Sequence, residues 1–372
     1  MVIKTALLKD YTTKILSAVD TSSSDKSNIN ETLELEAKGN LLTLNVTNRE
    51  YFVSVRIPLD CEESFHASVD ADLFLKLISQ TTTEDVELGC TEKVLQVRGN
   101  GSYKLPLIFE GENLLSLPRI VINNPTVQMP ISTEILNSIA LYNSKEITKD
   151  SVASPVQRYY YVDEKGCLTF TTGACVNNFE LEKPIRILLS GKIVRLFKLF
   201  SGKDVKFTLG FDALSDTLIQ TKVTFEDEII SLTAVLGCGD DLINMVPVQN
   251  IRHRANDIYP YSITLNKNTL LQAINRLLIF AKKLKSSVAF DAKFTFGPDG
   301  VDIAWGTEEV ETVVYTGSEV ALTDAPYEAI LDLNSLKATL TNCEESHLTL
   351  RFGNGEAFVV ARTNILNVIP QK

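Results

Sequence analysis

Apolar residues at Leu7, Leu8, Tyr11, Ile15 and Val19 fall three or four apart along much of their run, so residues 5 to 19 read as an amphipathic helix. The period then changes. Leu42, Leu44 and Val46, followed by Val53, Val55 and Ile57, alternate with polar positions as strand residues do. Between helix and strands, residues 21 to 28 carry five Ser or Thr and read as a polar loop. A second helix is predicted over 70 to 80. Val86, Leu88 and Cys90, then Leu95 and Val97, return to strands, with a hairpin turn at Gly99-Asn100-Gly101.

The same order comes twice more. Residues 132 to 145 open on an N-cap serine, Ser132, with Ile135, Leu136 and Ile139 as the apolar set. Residues 157 to 179 form a predicted hairpin: Tyr159, Tyr160 and Tyr161 go out, Glu164-Lys165-Gly166 turns, and Cys167 to Phe170 return to a corner at Thr171-Thr172-Gly173. A helix over 190 to 200 follows, then alternating strands at Val205 to Phe211 and Ile230 to Leu236. The last third places helices over 266 to 284 and 332 to 343. Its strands lie at 290 to 305 and at Leu348, Leu350 and Phe352, before a turn at Gly353-Asn354-Gly355.

Three copies in 372 residues give 372/3 = 124 residues each, a domain length and not a solenoid repeat. Few helices against many strands imply an α+β class with helices on one face of antiparallel sheets. Proline-bearing stretches at 117 to 130 and 246 to 261 read as linkers, and Gly237 to Asp241 as a turn.

Composition narrows the function. No basic segment followed by an apolar one opens the chain, and the most apolar run, Leu277 to Ala281, is too short to span a bilayer. The expectation is a soluble, cytoplasmic protein without a membrane role. Six scattered cysteines lack a C-x-x-C pair and read as reduced thiols; three histidines lack metal-ligand spacing. No metal and no cofactor are expected. Gly99-Asn100-Gly101 lacks the further residues of a phosphate loop, and no nucleophile elbow or zinc-hydrolase motif is present. The weight moves from catalysis to binding.

Net charge is −11, so a cationic ligand surface must be local. Over 190 to 200, Ile193, Leu196, Phe197 and Phe200 share one side; Lys192, Arg195 and Lys198 take the other with no acid among them. Over 266 to 284, Arg276 and Lys283 lie opposite the stripe of Leu270, Ile274, Leu277, Leu278 and Ala281. Basic-only faces on an acidic chain suit a phosphate backbone held without base readout. Ile279 projects away from the same stripe with Phe280 beside it, which points to a subunit contact.

Several stretches together resemble the bacterial DNA polymerase III β sliding clamps: Phe65 to Gln80 leading into Gly101 to Pro106, Arg158-Tyr159-Tyr160, Thr171-Thr172-Gly173, and the Ile369-Pro370 end. The resemblance implies clamp domains at 1–119, 126–247 and 256–372, in a head-to-tail homodimeric ring of six domains around duplex DNA. It implies no catalysis, a replicative polymerase and other partners with short binding peptides, and a clamp loader. Lys192, Arg195, Lys198, Arg276, Lys283, Lys14, Lys145 and Lys149 would face the channel. Tyr103 and Leu105 would meet Ile279 and Phe280 of the second copy. Tyr161, Thr171, Gly173, Val176, Pro247, Val368, Ile369 and Pro370 would line a pocket for a peptide with a Leu and an aromatic anchor.

The chain departs from the family where its corner lacks a basic pair (Ala174-Cys175), where Gln371-Lys372 end it, and where Leu242 to Met245 lack a proline and an arginine. These departures suit a phage or mobile-element member. An α+β enzyme of unknown chemistry and a structural ring without DNA remain as competing readings.

Overall fold

The computed structural model describes residues 1–19, 29–147, 153–213, 219–237, 239–281, 290–306, 308–318, 326–341, 343, 345–362 and 364–372, without the side chains of 60, 61, 63, 145 and 240. The first third runs β1 (Val2–Lys4), α1 (Thr5–Leu16), β2 (Thr32–Thr47), β3 (Tyr51–Asp70), α2 (Ala71–Gln80), β4 (Asp85–Cys90), β5 (Val94–Arg98) and β6 (Ser102–Pro106). Two short strands follow, β7 (Phe109–Glu110) and β8 (Asn113–Leu114).

The middle third runs β9 (Pro125–Ser132), α3 (Thr133–Tyr142), β10 (Tyr159–Asp163), β11 (Gly166–Phe170), β12 (Ala174–Asn178), β13 (Arg186–Ser190), α4 (Gly191–Val194), β14 (Asp204–Ala213), β15 (Ile219–Glu226) and β16 (Ile230–Leu236). Helices α5 (Asp240–Asn244) and α6 (Val248–Asn256) lead to β17 (Tyr261–Asn266), α7 (Lys267–Ala281), β18 (Asp291–Phe296), β19 (Gly300–Trp305), β20 (Glu309–Ser318), β21 (Tyr327–Asp332), α8 (Leu333–Thr341), β22 (His347–Phe352), β23 (Ala357–Ala361) and β24 (Ile365–Pro370). Strand, helix, strands, helix, strands thus recurs three times.

Contacts divide the chain into two compact units, Met1–Leu136 with Lys192–Gly239, and Asn137–Gly191 with Asp240–Lys372. The middle third is split between them, because its later strands pair with β3 and its earlier strands pair with β24. Sheet pairing carries each compact body past the joints expected at 119–126 and 247–256.

In the first unit, a four-stranded sheet β1-β4-β5-β6 accompanies a six-stranded sheet β2-β3-β16-β15-β14-β9. Leu8 and Ile15 of α1, and Phe74 and Ile78 of α2, are wholly buried. Strands of 16 and 20 residues make β2 and β3 a ribbon far longer than the segments visible in the sequence. Pro125 and Pro130, expected in a linker, sit in β9 at a sheet edge, where a missing N–H costs no ladder bond.

One buried polar cluster ties the segment after β8 to this ribbon. Glu34, with no exposed surface, accepts from His66 Nε2 at 3.0 Å, Leu117 N at 3.2 Å, Ser116 Oγ at 3.3 Å and Asn45 Nδ2 at 3.0 Å. The Arg119 guanidinium lies 2.7 Å from its second oxygen and stacks over the Phe52 ring at 4.7 Å.

The second unit holds one twelve-stranded sheet, ordered β13-β10-β11-β12-β24-β23-β22-β17-β20-β19-β18-β21. Ile274, Leu277 and Leu278 of α7 bury into a core with Phe296, Phe352 and Phe358, whose ring centres lie 4.2 to 5.5 Å apart.

Three expectations change. Residues 190 to 200 are the end of β13, one α turn, and a 3-10 helix over Arg195–Leu199. Asp240 and Asp241 open α5 instead of completing a turn. The stretch from 246 to 261 contains α6, which begins directly after Pro247. Residues 21 to 28 lie outside the described residues.

Candidate functional site

In the second unit, β10 and β11 form the tyrosine hairpin, with Tyr161 opposite Leu168 and Asp163 opposite Gly166. Asp163 Oδ1 accepts the Lys165 N–H at 2.9 Å, closing the turn locally. Gly166 has φ 145°, and a Cβ there would run into the Asn177 carbonyl of β12.

The strand then reaches its corner. Thr171 N–H donates to the Gly173 carbonyl at 2.9 Å, and the Thr171 hydroxyl donates to Glu146 Oε2 at 2.8 Å. Burial raises the Glu146 carboxyl above its ordinary pKa, and the Thr171 hydrogen bond partly opposes that. Gly173 is required by close approach: a Cβ would stand 2.6 Å from the Val368 carbonyl oxygen.

Beside the corner lies a cavity of 140 Å³ lined by Phe170, Thr171, Thr172, Gly173, Ala174, Pro247, Asn250, Ile251, Arg254, Ala357, Val368 and Pro370. Five expected residues, Thr171, Gly173, Pro247, Val368 and Pro370, meet here. Tyr161 lines a more polar groove that shares Pro247 and Asn250 with the cavity. Val176 and Ile369 do not line it. Val176 is buried opposite Leu366, and Ile369 enters the aromatic core because neighbours along a strand face opposite ways.

Of the seven lining residues missed in the sequence, Asn250, Ile251 and Arg254 belong to α6. That helix is held by a two-pronged ion pair: Arg252 donates to Asp163 at 2.6 and 2.8 Å, with the side chains 19% and 6% exposed. The hairpin turn and one cavity wall are therefore fastened to each other.

The basic residues fall in both units. In the first, Lys192, Arg195 and Lys198 are exposed while Ile193, Leu196, Phe197 and Phe200 are buried. Arg195 and Lys198, three apart in the 3-10 helix, match its 3.0-residue turn and stack in a row; Lys192 precedes them on α4. Arg195 also donates to the Tyr51 hydroxyl at 3.1 Å. Lys14 is paired with Asp10 at 3.0 Å and lies over the Tyr11 ring.

In the second unit, Arg276 is gripped by Glu311 at 2.5 and 2.6 Å, which offsets its charge. The Glu311 carboxyl is held below its ordinary pKa by that guanidinium. Lys149 and Lys283 lie outside the described residues, as does the side chain of Lys145.

Ile279 and Phe280 of α7 are 61% and 41% exposed, and Tyr103 on the edge strand β6 is 42% exposed. Leu105, expected beside Tyr103 in a contact, points into its own sheet and is 2% exposed. Among the described residues no group of three His, Cys, Asp or Glu is arranged to hold a metal ion, and no helix is long and apolar enough to cross a membrane.

The fold is that of a sliding clamp. The β subunit of DNA polymerase from Streptococcus pyogenes superposes with a TM-score of 0.81 at 14% identity, over 100% of this chain and 99% of that one. The DNA polymerase III β subunit from Pseudomonas aeruginosa gives 0.78 at 13% identity, over 100% and 99%. The DNA polymerase sliding clamp from Bacillus subtilis gives 0.76 at 15% identity, over 100% and 98%. No protein-family model matches the sequence, and no curated protein matches it.

Proposed function

We propose that this chain is a DNA polymerase processivity factor, a ring that encircles duplex DNA and tethers a polymerase without catalysing a reaction or holding a cofactor. The observation that carries this reading is agreement with the sliding-clamp fold along the whole chain. Two copies join head to tail through Ile279, Phe280 and Tyr103, giving six repeats with domains at 1–119, 126–247 and 256–372. A clamp loader opens the ring. The cavity beside Gly173 takes short peptides of the polymerase and other partners, and the protein works in the cytoplasm.

Lys192 and Lys198, both exposed on one side of the 190–200 segment, contribute to the channel wall. In a dimer, Lys192→Gln with Lys198→Gln removes four charges, and the slope of log affinity for duplex DNA against log salt falls by up to about 3.6. A fluorescence titration over several salt concentrations measures this, with polymerase processivity on a primed template dropping in parallel. An unchanged slope and unchanged processivity would remove these lysines from the DNA path.

A further inference from the structure

The corner that departs from the clamp pattern by lacking basic residues is faced by a cation from another element. Among the residues lining the 140 Å³ cavity, Arg254 is the one charged side chain; Phe170, Pro247, Ile251 and Val368 supply apolar wall. Arg254 follows Ile251 by three residues on α6, so the two share a helix side, Ile251 buried and Arg254 exposed.

Its guanidinium stands 3.8 Å from the Glu356 carboxylate, with 50% and 65% of the two side chains exposed, a loose surface pair. The neighbouring Asp257 carboxylate is occupied by the Ile258 N–H at 2.8 Å and Asn354 Nδ2 at 3.3 Å. The Glu146 carboxyl behind the corner is taken by Thr171. The cavity holds the volume of about five waters, enough for one large apolar side chain. A ligand anchored there brings its flanking residue to the mouth, where Arg254 offers donors in a planar fork.

We propose that Arg254 makes this pocket selective for a peptide whose apolar anchor is flanked by a carboxylate. This rests on the pocket being a partner-peptide site. A charge-assisted hydrogen bond to a half-exposed arginine is expected to change affinity about tenfold.

Fluorescein-labelled decapeptides on a Gly-Ser background, with Leu and Phe as anchors and Asp, Asn or Lys scanned through the flanking positions, provide the test. Each is titrated by anisotropy against the full-length protein and against Arg254→Gln, Arg254→Glu, Glu356→Gln and Gly173→Val. At one flank, the Asp peptide is expected to bind about tenfold tighter than the Asn peptide. Arg254→Gln removes that preference, Arg254→Glu turns it toward Lys, and Glu356→Gln strengthens it. Circular dichroism confirms that each variant is folded. Equal binding of Asp and Asn peptides, lost in Gly173→Val, overturns the selectivity and leaves the pocket standing. Binding of no peptide, or binding untouched by Gly173→Val, overturns the pocket reading as well.

Discussion

Replacing Glu34 by Ala lowers the unfolding temperature of the first unit by on the order of 10 °C. The carboxylate is fully buried and receives donors from His66, Ser116, Leu117, Asn45 and Arg119. Removing it leaves the buried Leu117 N–H and the Asn45 amide without their acceptor, at about 1–3 kcal/mol each, while Arg119, 39% exposed, keeps Glu36 at 3.2 Å. The loss also frees the segment around Leu117, whose N–H has Glu34 as its acceptor. Thermal melts followed by far-ultraviolet circular dichroism measure it. A shift of less than about 2 °C, under 1 kcal/mol by the same conversion, means that Glu34 is not a tie between that segment and the ribbon.

Asp163→Ala acts in the second unit with a similar energy, about 3–5 kcal/mol, because Arg252 is left largely buried without its carboxylate. Trp305, the chain's one tryptophan, sits in β19 of the same unit, so its fluorescence reports the unfolding. The variant is also expected to lose peptide binding, since α6 supplies Pro247-adjacent wall residues Asn250, Ile251 and Arg254. Replacing both partners by apolar residues, Asp163→Leu with Arg252→Met, should recover much of the stability. Peptide affinity that survives in the single variant would show that the pocket does not depend on this pair.

The amphipathic helices α1, α2, α7 and α8 were legible because each carries an apolar stripe at helical spacing. Helix α6 was not. Its sequence offers Ile251 and Ala255 as its buried residues, among polar neighbours and between Pro247 and Pro260, so it reads as a linker. The ribbon of β2 and β3 was legible only in part: Glu34, Asn45 and Ser68 hold the polar positions of an alternating pattern yet are buried by tertiary contacts, which the pattern does not indicate.

Long-range pairing was hidden for a different reason. Nothing near Ala174 indicates that it lies opposite Val368 across 194 positions, and that pairing brings the corner to the chain's last strand. Of the candidate site, the corner and the proline positions were readable through their likeness to clamps, whereas Arg254 required α6 to be known. The Lys14–Asp10 pair has the i,i+4 spacing that a helix brings together, so it could have been foreseen. Glu311 as the partner of Arg276 could not, since it comes from β20, 35 residues away.

Electron-microscopic imaging of the purified protein, with its mass in solution taken at the same concentration, tests the clamp assignment most directly. The expected particle is a two-copy closed ring with six lobes and a hole that admits duplex DNA. Ile279→Asp with Phe280→Asp should convert it to single copies by placing charge in an apolar contact. A wild-type protein that stays a compact single copy without a hole, even at concentrations where weak dimers form, would contradict the ring.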